Sequence, residues 1–271
     1  MNREGTAPRR IAFRVEYDGT HYHGWQAQPS GCPTIQGTLE SVFSDFLGHA
    51  CSIQGASRTD AGVHALDQLA ATTISHPIEP AGLMKAINQR LPQDIAIRSP
   101  QLVDATFNPR FGNRHKTYVY TIYKDHHRRP LIHRFAWRVP WTLNHQTMQA
   151  AADDCIGTHD FRSFAAADGS HRTTDRTIHS FAIDSLADGE TRITVQGTAF
   201  MKNMVRILVG TLVDIGRGRL SREDMEAIKA AKNRQMAGPT APPQGLRLQR
   251  ILANFEADSS RIKDSAMHQR A

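Results

Sequence analysis

Ile11, Phe13, Val15 and Tyr17 alternate with Ala12, Arg14 and Glu16 before Asp18-Gly19 closes the run. Alternation sends one set of side chains to each face, so this stretch predicts a half-buried strand. After Thr34 the period changes: Ile35, Leu39, Val42, Phe43 and Phe46 recur at helical spacing, with Thr34 placed to cap the helix. Alternation then returns, and Leu66, Ala70 and Ile74 fall on the same side as His64, Gln68 and Thr72. A second helix is predicted from about 80 to 91, with Leu83, Ile87 and Leu91 in line, and a short strand over 95–98. Strand, helix, strand, helix, strand predicts an α+β arrangement with helices on one sheet face, as in ferredoxin-like units.

The second half starts from 104–124, where Tyr118, Tyr120 and Ile122 take one face of a predicted strand and Val119, Thr121 and Tyr123 the other. A helix near 143–156 and strands near 177–185 and 192–197 follow. The apolar run 199–210 predicts a helix interrupted by Lys202 and Arg206, four residues apart and so on one face. An Arg among Met, Val, Ile and Leu is costly to bury alone, so Arg206 asks for a carboxylate partner. Ser221 and Asp224 have the spacing of a capping box, and 238–243 is a proline-stiffened loop leading to Gly245-Leu246. The boundaries expected are loose tails at 1–9 and 258–271, an N-terminal α+β domain over 10–108 and a C-terminal one over 109–257. No internal repeat shows in the letters, although the halves read as related architectures.

Composition changes this picture in three ways. With 271 residues, 39% of them hydrophobic and 22% charged, the chain supports a real core in one large domain or two ordinary ones. A net charge of +7 makes a polyanionic partner plausible without naming it. Cys32, Cys51 and Cys155 lack C-x-x-C spacing and cannot all pair, which fits a reducing cytoplasm. No run approaches the ~18 apolar residues of a membrane span. The twin Arg9-Arg10 leads into an alternating strand, so an export signal is not expected.

The densest candidate chemistry lies in 55–70, where Arg58, Thr59 and Asp60 sit between small residues. Such a loop brings backbone close to a partner, and an adjacent Arg keeps a carboxylate ionised. The plain alternative is a surface turn with a local ion pair. His21 and His23 in the aromatic loop 20–28 have no further ligand cluster to make a metal site. Arg110, Arg114, His115 and Lys116 precede the Tyr-bearing strand, offering cations for phosphates and a ring for a base. The alternative there is an ordinary core strand. His126-His127-Arg128-Arg129 and Arg134 add a second basic run suited to phosphate. Taken alone, these residues stop at a basic α+β protein that binds nucleic acid.

The stretch Arg58-Thr59-Asp60-Ala61-Gly62-Val63-His64 resembles the catalytic loop of the TruA family of tRNA pseudouridine synthases. Gly24-Trp25-Gln26, the segment 157–164, Met204-Val205-Arg206 and the ending at Gly245-Leu246 are similar to further signatures of that family, in the same order. The resemblance covers about 11–253. It implies a pseudouridine synthase fold: two ferredoxin-like or RRM-like α/β halves joined through a large, mostly antiparallel mixed sheet, with a basic cleft. It implies isomerisation of uridine to pseudouridine at positions 38, 39 and 40 of the tRNA anticodon stem-loop, by a cytoplasmic homodimer without cofactor or metal. Asp60 would be the nucleophile or base, attacking uracil C6 or ribose C1′ or deprotonating C2′; the letters admit all three. Arg206 would pair with Asp60, and Tyr118 would stack on the uridine and relay a proton. Arg58 would hold the place of the flipped-out nucleotide, Leu246 would line the uracil pocket, and Gln26 would belong to an RNA-binding loop. Arg110, Arg114, Lys116 and Lys202 would follow the RNA backbone. The chain departs from the family at 109–113, Pro-Arg-Phe-Gly-Asn, which bears on local RNA contacts. Two rivals use the same residues: a non-catalytic RNA-binding protein, and a metal-dependent hydrolase built on Asp60, His64, His21 and His23.

Overall fold

A computed structural model describes residues 7–29, 31–169, 173–186 and 189–253. The expected tails fall outside those residues apart from 7–9, and Arg9 already opens the first strand. The chain divides into two units, one formed by the described residues up to His115 together with those from Arg250 on, the other by Lys116–Gln249. Ten strands and five α-helices lie among the described residues, an α+β protein.

The first unit runs β1 (Arg9–Tyr17), α1 (Ile35–Leu47), β2 (Ile53–Gly55), β3 (His64–Ile74), α2 (Pro80–Asn88) and β4 (Ile95–Leu102). The strands order as β4-β1-β3 with β2 on β3, all antiparallel, which is the split βαβ unit expected. The sequence pattern missed only the short β2. Helix α1 starts where the Thr34 hydroxyl accepts the Gly37 N–H at 3.2 Å, and stops at Gly48 in the left-handed region. Its buried Ile35, Leu39 and Phe43 cover β1, with Phe43 stacked on Phe13 at 5.4 Å. Each such side chain contributes about 1.5–3 kcal/mol by leaving water. Helix α2 is tied to β4 by Asn88, whose amide donates to and accepts from the Ile97 backbone at 2.8 Å each way.

Strand β1 departs from the half-buried expectation. Ala12 and Arg14, assigned to the polar face, are buried as well. Arg14 is tolerated there because Nη1 donates to the Ile251 carbonyl at 2.9 Å and lies 3.4 Å from the Asp67 carboxylate.

The second unit contains β5 (Asn113–Lys124, from Lys116 on), β6 (Trp137–Val139), α3 (His145–Asp153), β7 (Gly157–Asp160), β8 (Asp175–Ser185), β9 (Glu190–Gly197), α4 (Met204–Gly216), α5 (Asp224–Ala231) and the first half of β10 (Leu246–Ala253). Its strands order as β5-β9-β8-β7, antiparallel, with β6 parallel on β5. Every residue of α4 except Arg206 is buried. The helix is packed so closely that a Cβ on Gly210 would stand 1.8 Å from the Pro239 carbonyl oxygen.

Two local expectations are corrected here. Helix α4 begins at Met204 after Asn203 in the left-handed region, so Lys202 lies in the preceding turn and shares no helix face with Arg206. Helix α5 begins at Asp224, making it the first helical residue rather than the third that a reciprocal box requires, although the reach-back half of the expected box is present: its carboxylate accepts the Ser221 N–H at 2.7 Å.

Candidate active site

In the first unit the loop between β2 and β3 carries Asp60, and its backbone is held from several sides. Ala56 N–H donates to the Leu69 carbonyl at 2.8 Å. The fully buried Gln68 side chain brackets Ser57, donating to its carbonyl at 2.6 Å and accepting its N–H at 3.2 Å. The Thr59 carbonyl accepts the Trp25 N–H at 3.1 Å, and the Thr59 hydroxyl meets the Tyr17 phenol at 2.8 Å. Val63 N–H returns to the Asp60 carbonyl at 3.1 Å, while Gly62 N–H donates to Tyr22 at 3.2 Å. Asp60 is half-buried between buried Thr59 and exposed Ala61. These bonds fix the carboxylate's backbone before any substrate arrives.

The 20–28 loop supplies the other wall. Gly24 sits at φ +88°, and a Cβ there would stand 2.6 Å from the Thr59 carbonyl oxygen. Only glycine lets the two loops approach so closely. Trp25 is buried under the loop, its indole filling the space against Gly55, as the packing alternative supposes. Gln26 is exposed and donates to Gln36 at 2.6 Å. Buried His64 places Nδ1 3.1 Å from the Gly19 nitrogen and 3.0 Å from an Asp18 carboxylate oxygen. One ring nitrogen cannot accept from the first while donating to the second, so these are alternative protonation states of the same contact. His21 and His23 are exposed. Among the described residues no three His, Cys, Asp or Glu side chains gather as metal ligands would.

In the second unit Tyr118 lies on β5 opposite Val195, only 6% exposed, its ring edge-on to Phe200 at 5.3 Å. Val119 and Tyr123 on the other face are buried too, so β5 is a core strand on both faces. Arg206, in the first turn of α4, donates from Nε to the Ala241 carbonyl at 2.7 Å and from Nη1 to the Asn203 side-chain oxygen at 2.9 Å. Ala241 N–H donates back to the Arg206 carbonyl at 3.1 Å. Arg234 clamps the same loop through the Ala237 and Gly238 carbonyls and the Thr240 hydroxyl. Tyr120 donates to the Pro242 carbonyl at 2.8 Å, and its ring abuts Gly245, which seats buried Leu246. Burial raises the Tyr120 phenol well above its ordinary range, although the nearby Arg206 charge pulls the other way.

The remaining predicted residues are more dispersed. Arg58, Arg110 and Arg114 are exposed and Lys116 is half-buried. Lys202 is paired with Asp168 at 2.5 Å, so an RNA phosphate would have to compete with a carboxylate there. The unusual 109–113 turn closes on itself through Asn113, whose amide donates to the Pro109 and Arg110 carbonyls. In the segment 157–164, His159 contacts the Ile156 carbonyl and Asp160 pairs with Lys232 at 3.2 Å. The sequence reading missed Tyr17, Gln68 and Arg234 as supports. For Gln68 the signal was present, since an amide on an apolar stripe of β3 has to find partners.

The fold and loop together define an α+β protein whose split βαβ unit presents a carboxylate on a multiply hydrogen-bonded loop. A family model described as tRNA pseudouridine synthase matches residues 14–111 and 151–251. Relatives named tRNA pseudouridine synthase A include those of Geobacter sulfurreducens, 41% identical over 90% of this chain and 99% of that protein, and Geotalea uraniireducens, 40% identical over 88% and 97%. That of Myxococcus xanthus is 40% identical over 89% and 91%. This chain belongs to the tRNA pseudouridine synthase family.

Proposed function

We propose that this protein isomerises uridine to pseudouridine at positions 38, 39 and 40 of the tRNA anticodon stem-loop, with Asp60 as nucleophile. As a member of its family it is an isomerase acting on tRNA uridine. The observation that carries the finer reading is the multiply clamped loop that holds Asp60 in a fixed position. The reaction breaks the C1′–N1 bond and forms C1′–C5; the proton leaving C5 is balanced by one gained at N1. No electrons or groups are exchanged with another reactant, so the chemistry needs placement and charge rather than a redox or group-transfer cofactor.

A uridine stacked in RNA must be flipped out first, at a cost of a few kcal/mol. Tyr118 stacks on the extruded base and relays a proton, Leu246 lines the uracil pocket, and Arg58 takes the vacated position in the strand. Arg206 pairs with Asp60 in the working enzyme, its guanidinium already oriented by Ala241 and Asn203. Gln26, Arg110, Arg114, Lys116 and Lys202 contact the surrounding RNA, Lys202 by exchanging Asp168 for phosphate. The working form is a cytoplasmic homodimer, so that one anticodon arm contacts both subunits; sedimentation with and without tRNA checks this.

The test is tritium release from tRNA labelled at uridine C5, for wild type and Asp60→Asn, with a chelator present. Release by wild type alone supports Asp60-dependent, metal-independent chemistry. Equal release by both overturns the nucleophile assignment. Binding without release from any tRNA leaves an RNA-binding protein.

A further inference from the structure

A second aromatic and basic feature lies in the second unit, on residues that the reaction above does not use. After β6 the chain passes Trp141 and Thr142, and beyond α4 it passes Arg217, Gly218 and Arg219. These five residues line a surface pocket of about 680 Å³. The two segments are stitched together by the Asn144 N–H, which donates to the Gly216 carbonyl at 2.8 Å. The Arg217 guanidinium lies over the Trp141 indole, 4.3 Å from the ring centroid. Asp214 holds that guanidinium in place, with Nε at 2.9 Å and Nη2 at 2.7 Å from the same carboxylate oxygen.

The charges around the ring do not cancel. Arg219 approaches the other Asp214 oxygen only to 3.7 Å and is 67% exposed, whereas Asp214 is buried. Two guanidinium groups against one carboxylate leave one positive charge. Lys124 brings a second, its ammonium donating to the Thr142 hydroxyl at 2.7 Å. Gly218, at φ +74°, has open space where a side chain would stand, so this part of the pocket is bare backbone.

Trp141 remains 41% exposed. A lone exposed ring would be ordinary on a protein surface and would need no explanation. A guanidinium–indole stack, fixed by a buried carboxylate and flanked by exposed cations, instead offers what a nucleotide requires. A planar base extends the stack, and its phosphate meets the cations.

We propose that this pocket binds one nucleotide, with the base on Trp141 and the phosphate on Arg219 and Lys124, through residues other than those assigned to the reacting uridine. Its natural source is a strand of the bound tRNA, which rests on the tRNA reading above; a free mononucleotide carries the same chemistry. The experiment compares wild type with Trp141→Ala, Trp141→Phe and Arg219→Glu in tRNA binding and steady-state tritium release, alongside titration of Trp fluorescence with uridine monophosphate. A strand contact predicts that Trp141→Ala weakens tRNA binding and raises KM by about 5- to 100-fold with kcat unchanged, the size expected for losing one stacked base. Trp141→Phe keeps a ring and restores most of the affinity, which a merely misfolded variant would not show. Unchanged tRNA binding, with saturable fluorescence quenching by uridine monophosphate that Arg219→Glu abolishes, assigns the pocket to a free nucleotide. Absence of both effects overturns the proposal. Wild type that releases no tritium would sink the catalytic reading, while the binding comparison would still decide the pocket.

Discussion

The Tyr17 phenol and the Thr59 hydroxyl lie 2.8 Å apart in a buried contact that joins the first strand to the residue before Asp60. Thr59 also gives its carbonyl to the Trp25 N–H. The position of the carboxylate is therefore set through its neighbour. Tyr17→Phe should cost about 1–3 kcal/mol by leaving a buried hydroxyl short of a partner. It should lower kcat more than it raises KM, by up to about 100-fold if the carboxylate shifts by an ångström. Urea denaturation and tritium release read the two effects separately.

Gly24→Ala tests the close approach of the two loops. At φ +88°, with the Thr59 carbonyl oxygen 2.6 Å from the new Cβ, alanine brings both backbone strain and a clash with main chain. A loss of more than about 1 kcal/mol in stability is expected, together with a fall in activity. Wild-type behaviour in both measurements would mean that the loops are not coupled.

The elements β1, α1, β3 and α2 were legible because each has a face whose period survives in the letters, although β1 and β3 prove to be buried on both faces. Arg14 was misassigned because alternation assumes a solvated second face, and here Ile251 and Asp67 close it. The reading of 199–210 failed for a related reason: α4 is apolar almost all round, so periodicity could not mark where it starts, and Asn203 delays it to Met204. Of the residues proposed for the reaction, Asp60 and Arg206 stood out through contiguous motifs. The Tyr17–Thr59 contact did not, since it spans 42 residues and neither side chain is unusual in its own segment.

Arg206→Lys should retain the charge and lose the fork. An ammonium cannot reproduce the paired directions to Ala241 and Asn203, so the cation loses its aim. A fall in kcat on the order of 100-fold is expected, the scale of removing one preorganised electrostatic donor, with tRNA affinity little changed. Single-turnover release and a binding titration distinguish this from a loss of affinity.

Arg222→Ala tests a pH-dependent tie in the second unit. The Arg222 guanidinium grips Asp154 through two bonds, at 2.9 and 2.8 Å, and chiefly by those bonds holds its carboxyl below the usual range, against the opposing effect of burial. A depressed folded value gives stability that is present above the unfolded value of about 3.9 and is lost as pH falls through the folded one. The variant should therefore unfold at lower urea than wild type at pH 7, and the gap should close on acidification below about pH 4. A gap independent of pH would show that Arg222 acts through packing instead.

The reciprocal bonds between Arg206 and Ala241 use only the main chain of residue 241. The letter at that position does not enter these bonds, and because Ala241 is buried the site should accept other small residues without disturbing the cation. Proline is the exception, because it would delete the N–H that answers Arg206. Ala241 stands among Pro239, Pro242 and Pro243. The segment is stiffened on both sides of the one place where another ring would cut the latch, and a library randomised at 241 should keep small residues and reject proline together with the large or charged side chains that a buried site cannot hold.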